Sequence, residues 1–275
     1  MLVVLVVVGT IVGIKLGGGS SNTSGSQPAA IGVVNDVTGV PASTFEQVGL
    51  PGSSVIVGTP IAVQKDSAGN LPPLYKSDGK PAVFYAGGEF CPYCAAERWS
   101  IITALSRFGT FSNLHTITSS STDVYPNTAT FTFVGSTYKS SYLTFEPVEL
   151  LDRNSKPLQT PTAEQQHIMA TYDKPPYTQV AGGIPFISFG NQSVVTGPGF
   201  SPAVLQGLSW ATIASDLYNP SSPVAQAVLG NANYIPAAIC QITNGQPGNV
   251  CSASFIAPAQ AKIAAASPGA KGSGS

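Results

Sequence analysis

Charge is what this chain has least of. Its 12 basic and 13 acidic side chains amount to 9% of 275 residues, where an ordinary globular protein carries about 25%. The formal net charge is −1, so no basic face offers itself to nucleic acid and no polyionic partner is indicated. Histidine is almost missing. His115 and His167 stand alone with no second histidine at i+4, so the paired spacing of zinc sites is absent. No Ser/His/Asp order, nucleotide-binding glycine pattern, carboxylate pair or internal repeat rises above background. The hydrophobic share, 43%, is ordinary. Ser, Thr, Asn, Gln and Gly therefore cover the surface, which suits a protein working outside the cytoplasm.

Residues 1–16 form a long apolar run, broken only by Thr10 and Lys15. As a helix it would reach about 24 Å, against a hydrocarbon core of about 30 Å. No basic segment precedes it and no Ala-x-Ala site follows, so it reads as a membrane anchor more than a cleaved signal peptide. Residues 17–29 read as a flexible linker; its Gly/Ser-rich first eleven residues reach about 18 Å. Asn22 and Asn191 each open an Asn-x-Ser/Thr triplet and are glycosylation candidates, with use expected at the first. Residues 267–275 are low-complexity and are expected to be a disordered tail.

Of the four cysteines, two lie in Cys91-Pro92-Tyr93-Cys94. The strand formers at 82–86 precede them and Gly87-Gly88 closes that run. After them, up to about residue 108, Trp99, Ile102 and Leu105 or Phe108 recur at helical spacing. A strand, a tight exit and a helix opening on Cys-x-x-Cys set Cys91 at a helix N-terminus, where free N–H groups and the macrodipole favour the thiolate. Pro92 fits the first helical turn. Tyr93 is expected to be exposed, Cys91 accessible and Cys94 shielded. Arg98, one turn past Cys94, is a thiolate stabiliser or a solvated surface side chain. Trp99, Phe108 and Phe111 read as core.

This segment resembles the thioredoxin-like superfamily, with a dithiol of the glutaredoxin type. A second place carries the resemblance: Gly182-Gly183-Ile184-Pro185 running into the short apolar strand 186–189, with 192–195 pairing back through Gly190-Asn191. The resemblance spans about residues 80–218. Within the superfamily the chain is most similar to an uncharacterised group of membrane-anchored archaeal thioredoxin-like proteins. It implies that Pro185 is a cis-proline lying against the dithiol, and that the Ile184 backbone meets an incoming peptide. The chain departs from the family in having no carboxylate within 83–86. The nearest, Glu89, falls in what reads as an exposed turn. The stretch between Cys94 and Pro185 is also long. It shows strand character near 114–118, 130–134 and 142–150, then a helix at 162–172 with Glu164 in its first turn. A further helix is expected at 202–208, after the Gly-Pro-Gly loop.

Cys240 and Cys251 flank a turn-rich loop. In an oxidising compartment they are expected to form a structural disulfide, with a redox shuttle pair as the alternative. Their ten intervening residues are far from a zinc knuckle. The Cys91–Cys94 pair alone is compatible with a soft ion such as Cu(I) or with a plain structural disulfide.

The expected fold class is α/β, a thioredoxin-like mixed sheet flanked by helices. A membrane anchor (1–16), a linker (17–29) and an N-terminal extension (30–75) precede the thioredoxin-like domain (76–218). That domain carries an insertion at about 120–160 and is followed by a disulfide-closed helical extension (219–266). The expected function is extracytoplasmic thiol–disulfide exchange on protein substrates, with Cys91 and Cys94 catalytic and Tyr93, Ile184 and Pro185 binding substrate. It needs an unidentified redox partner, leans toward oxidase or isomerase, and requires no organic cofactor and no metal. Two rivals remain: a non-catalytic surface or filament component on the same scaffold, and a copper-delivery protein.

Overall fold

The computed structural model describes residues 25–51, 58–266 and 268. The anchor, residues 17–24 of the linker with Asn22 among them, and all of the tail but residue 268 lie outside them. The described chain begins with β1 (Gln27–Pro28), α1 (Ile31–Thr38), α2 (Ala42–Val48), β2 (Ile61–Ala62) and β3 (Lys76–Ser77), then enters β4 (Lys80–Gly87). The dithiol opens α3 (Pro92–Leu105). Next come β5 (Gly109–Ser112), β6 (His115–Thr118), β7 (Ala129–Thr132), β8 (Thr137–Ser140) and β9 (Thr144–Glu149). After α4 (Ala163–Tyr172) the hairpin β10 (Phe186–Phe189) and β11 (Ser193–Thr196) forms. A single 3-10 turn (Pro202–Leu205) leads to α5 (Trp210–Asp216), α6 (Pro223–Ala232), α7 (Tyr234–Ile242), α8 (Gly248–Cys251) and α9 (Ile256–Ala265).

The protein is α/β, with a mixed six-stranded sheet at its centre. Strands run in the order β2-β11-β10-β4-β3, and β9 also pairs with β4. β9 lies parallel to β4, with Gly87 opposite Glu149, while β10 is antiparallel to β4, with Phe186 opposite Ala86. β4 is an unbroken apolar run because both faces are covered. Its side chains alternate between two cores: Val83 and Tyr85 enter one, Phe84 and Ala86 the other. β10 and β11 keep the same phase, with Ile187 and Val195 on the first side and Phe186 and Val194 on the second. α4 caps the second core with Ile168 and Tyr172, and α3, α6 and α7 fill the first. In the turn between β10 and β11, Gly190 and Asn191 have φ of 58° and 62°. They are the central pair of a turn closed by the Gln192 N–H on the Phe189 carbonyl at 2.9 Å, within a three-residue loop between the paired Phe189 and Ser193.

α3 is enclosed on all sides, and every residue of it except Tyr93 is buried. That explains polar groups inside it that a surface helix would turn outward. Ser100 donates to the Val228 carbonyl and Trp99 Nε1 to the Ala129 carbonyl, each at 2.9 Å. The segments on either side are part of this enclosure. Val33, Val37 and Phe45 before it, and Val228, Ile235 and Ile239 after it, join Trp99, Ile102 and Leu105 in one core.

Some boundaries differ from those expected. α3 ends at Leu105, short of residue 108, because Ser106 to Phe108 close a turn on the helix's last carbonyls. The helix expected over 202–208 shrinks to the 3-10 turn. α4 begins where its capping sequence places it: Thr162 accepts the Gln165 N–H while Gln165 accepts that of Thr162. No helix among the described residues is long and apolar enough to cross a membrane.

Candidate active site: a helix-capped dithiol in a cleft

Cys91 is the N-cap of α3 and Pro92 its first helical residue. The extended backbone of Cys91 turns its sulfur back over the helix, where Sγ accepts the Cys94 N–H at 3.3 Å. Both cysteines carry free thiols. Cys91 keeps 4% of its surface exposed and Cys94 none. The two sulfurs titrate in opposite directions. The Cys94 thiol hydrogen bond, then the Cys94 N–H and the Arg98 cation, hold the Cys91 thiol below its ordinary value against the cost of burial. Burial first, then the Cys91 sulfur, push Cys94 well above it. The lowered pKa favours the thiolate at Cys91 and the raised one favours the thiol at Cys94.

The sheet delivers the facing wall. Because β10 pairs with β4, the residues entering β10 lie beside those leaving β4. A cleft of about 220 Å³ is lined by Phe90, Cys91 and Tyr93 from the start of α3, by Ile184 and Pro198 from the segments flanking the β10–β11 hairpin, and by Asp123. The Ile184–Pro185 peptide is cis, as expected. Pro185 is buried and Ile184 half-buried. Tyr93 is half-buried as well, not fully exposed, since its ring stands edge-on to Tyr125 at 5.9 Å. Cys91, Tyr93 and Ile184 thus share the lining of one cleft. Cys94, fully buried, is joined to Cys91 through its N–H, while Pro185, next in chain to Ile184, is not among the lining residues. Cys240 and Cys251 do not join them. They are bonded to each other, with Cα atoms 5.7 Å apart, across the turn between α7 and α8. Asn191 sits in the hairpin turn, its side chain accepting from Ser188 Oγ at 3.1 Å.

Two charges lie where sequence reading did not put them. Glu89 is not in an exposed turn. The chain folds β7 back over it, leaving it 0% exposed, and Thr132 Oγ1 donates to it at 2.6 Å. Burial raises its pKa. Arg98 is no surface side chain, since α3 has no solvent face. Its Nε and Nη2 donate to the two oxygens of Glu149 at 2.8 and 2.6 Å, and Nη2 also donates to the Gly88 carbonyl at 2.8 Å. Burial opposes this cation, but Glu149 and its other anionic neighbours outweigh it and keep the pKa well above the usual value. The Tyr85 hydroxyl, fully buried and without a hydrogen-bond partner among the described residues, lies within the field of Arg98 and Cys94.

Sequence reading missed Glu149 and Asn231 entirely and gave Glu97 no role. One signal was present. In a chain so poor in charge, Glu97-Arg98 inside an otherwise apolar helix has to be accounted for. Among the described residues no group of three or more His, Cys, Asp or Glu side chains is gathered to hold a metal. The Cys91 thiol is the softest donor lining the cleft, with the Cys94 thiol fully buried.

Fold and site together define an α/β protein with a helix-capped dithiol facing a proline-edged loop. A family profile described as a domain of unknown function, DUF929, matches residues 71–241, over half of the chain, and the chain belongs to that family. No curated protein and no solved structure matches it.

Proposed function

We propose that this protein is a thioredoxin-like thiol–disulfide oxidoreductase acting on protein substrates outside the cytoplasm, held at a membrane by its N-terminal segment. The observation that carries the reading is the geometry of two free thiols at the start of α3, of which Cys91 caps the helix and lines a cleft while Cys94 is fully buried. That arrangement lowers the pKa of the first and raises that of the second. The Cys91 thiolate attacks one sulfur of a substrate disulfide, forming a mixed disulfide and releasing the other sulfur as a thiolate. Cys94 then loses its proton and attacks Cys91. The substrate's remaining sulfur leaves, and Cys91–Cys94 becomes a disulfide. The dithiol has lost two electrons and the substrate has gained them. Run backwards, the same steps oxidise a substrate dithiol. Turnover needs a partner thiol or disulfide to reset the pair, and no organic cofactor. The Ile184–Pro185 segment supplies the wall on which the substrate chain lies. The Cys240–Cys251 bridge fits an oxidising compartment.

Alkylation of the reduced protein tests the assignment. Iodoacetamide is expected to modify Cys91 well before Cys94, with a midpoint below the ordinary thiol value of about 8.5. Cys94→Ser is expected to accumulate a mixed disulfide with a peptide disulfide. First modification at Cys94, or no mixed disulfide, overturns the reading. Equilibration of the pair in glutathione buffers then gives the direction of the reaction.

A further inference from the structure

Glu97 is a carboxylate at 1% exposure in the middle of the helix that bears the dithiol, and exchange chemistry gives it no task. It faces α6 and the loop before the 3-10 turn. Asn231 Nδ2 donates to both its oxygens at 2.9 Å, and the Gly199 backbone N–H donates to Oε2 at 3.0 Å. The fit is close: a Cβ on Gly199 would lie 2.1 Å from Asn231 Oδ1. The neighbouring residue, Pro198, is part of the wall of the cleft onto which Cys91 opens.

We propose that Glu97 is a positioning residue that holds the Pro198 wall of the dithiol cleft through Gly199, and that its ionisation sets how firmly the wall is held. The inference rests on this cleft being the exchange site. Burial, opposed by Asn231 and then Gly199, pushes the Glu97 pKa up to about 7, so the switch falls in the physiological range. No cation among the described residues pairs with the carboxylate. Among the elements packed on α3, α6, β5, β7 and the 3-10 turn carry no titratable side chain. α1 offers Asp36 and α7 Tyr234, and neither bonds Glu97. On α3 itself the Arg98 guanidinium is taken by Glu149. Ionised, Glu97 receives three charge-assisted hydrogen bonds; protonated, one of its oxygens becomes a donor that meets only N–H groups, and the bonds that remain are neutral ones of about half the strength.

The test compares two probes of Cys91 between pH 6 and 8.5: iodoacetamide, which needs only the thiolate, and a cysteine octapeptide as its mixed disulfide with thionitrobenzoate, which must also fit the cleft. Their rate ratio cancels the thiolate fraction. In the wild type the peptide-to-iodoacetamide ratio is expected to rise roughly fivefold through pH 7, the factor that about 1 kcal/mol represents. In Glu97→Gln it is expected to be flat. The Gly199 amide resonance of the wild type, which needs no variant, is expected to titrate with the same midpoint. A flat wild-type ratio, an equal slope in Glu97→Gln, or a Gly199 amide that does not titrate near pH 7 overturns the inference. If the peptide fails to react at any pH, the exchange reading has failed, and the Gly199 titration alone decides for or against the clamp.

Discussion

Arg98 and Glu149 are both at 0% exposure, so neither charge can be hydrated and each depends on the other. Such a pair is a weak source of net stability, because two desolvation costs stand against one attraction. Removing one partner is another matter. Arg98→Met leaves a buried carboxylate without its cation and is expected to cost about 3–5 kcal/mol, whereas Arg98→Met/Glu149→Met recovers most of that loss. Urea denaturation of the three proteins checks this. The pair also has an electrical effect, because the Arg98 cation favours both thiolates. In the double variant, therefore, the Cys91 thiol is expected to titrate at higher pH than in the wild type. The double variant also removes the Glu149 charge, but of the two it is Arg98 that acts on Cys91, and losing that cation disfavours the ionised form. Thiolate absorbance against pH reads it directly. An unchanged Cys91 midpoint would mean that the helix start and Cys94 alone set the reactivity.

At the scale of elements, legibility followed local chemistry. Residues 82–86 and 92–105 were readable because an apolar strand, two glycines and a proline-initiated helix follow one another without ambiguity. The β10–β11 hairpin was readable from Gly190-Asn191, and α4 from the threonine near its start and Glu164 in its first turn. What was not readable depends on contacts distant in sequence. β9 looked like part of an insertion, yet it is the parallel neighbour of β4, and only the pairing reveals it. Glu89 looked solvated because nothing local says that Thr132 will cover it, 43 residues on. The cysteines of the dithiol were legible from their spacing, while Glu97 and Asn231, separated by 134 positions, were not. The Cys240–Cys251 bridge belongs to the legible class, and it joins α7, which packs on α3, to the short α8. Closing a loop of this size stabilises by about 3 kcal/mol on chain entropy. Cys240→Ser/Cys251→Ser is expected to lower the unfolding midpoint by several degrees while leaving Cys91 alkylation unchanged. Limited reduction with mass mapping is expected to open Cys91–Cys94 before Cys240–Cys251. A cross-link between the two pairs would instead identify a relay.

The whole molecule is held by one principal core that the sequence-drawn limits cut through. α6 and α7 lie against α3 and bring Val228, Leu229, Ile235, Ala238 and Ile239 into it. They also close polar accounts on the dithiol side of the sheet. Asn231 meets Glu97, and Asn233 Nδ2 donates to the carbonyls of Phe45 and Gly49 at 3.0 and 2.7 Å, joining the chain's beginning to its end. A thioredoxin-sized piece ending at residue 218 would lose all of this. It would expose Trp99, Ile102 and Leu105 on a helix that has no polar face to turn outward, and leave Glu97 without its Asn231 partner. Each large apolar side chain uncovered forfeits about 1.5–3 kcal/mol, and a domain's total margin is about 5–15 kcal/mol. Chain 25–218 is therefore expected not to fold, giving no cooperative thermal transition and rapid proteolysis between β4 and β10. Chain 25–266 is expected to fold with its dithiol reactivity intact. Circular dichroism melts and limited trypsin digestion of the two chains make the comparison. A cooperative melt of 25–218 would show that the C-terminal helices are an appendage, and that the α3 face closes without them.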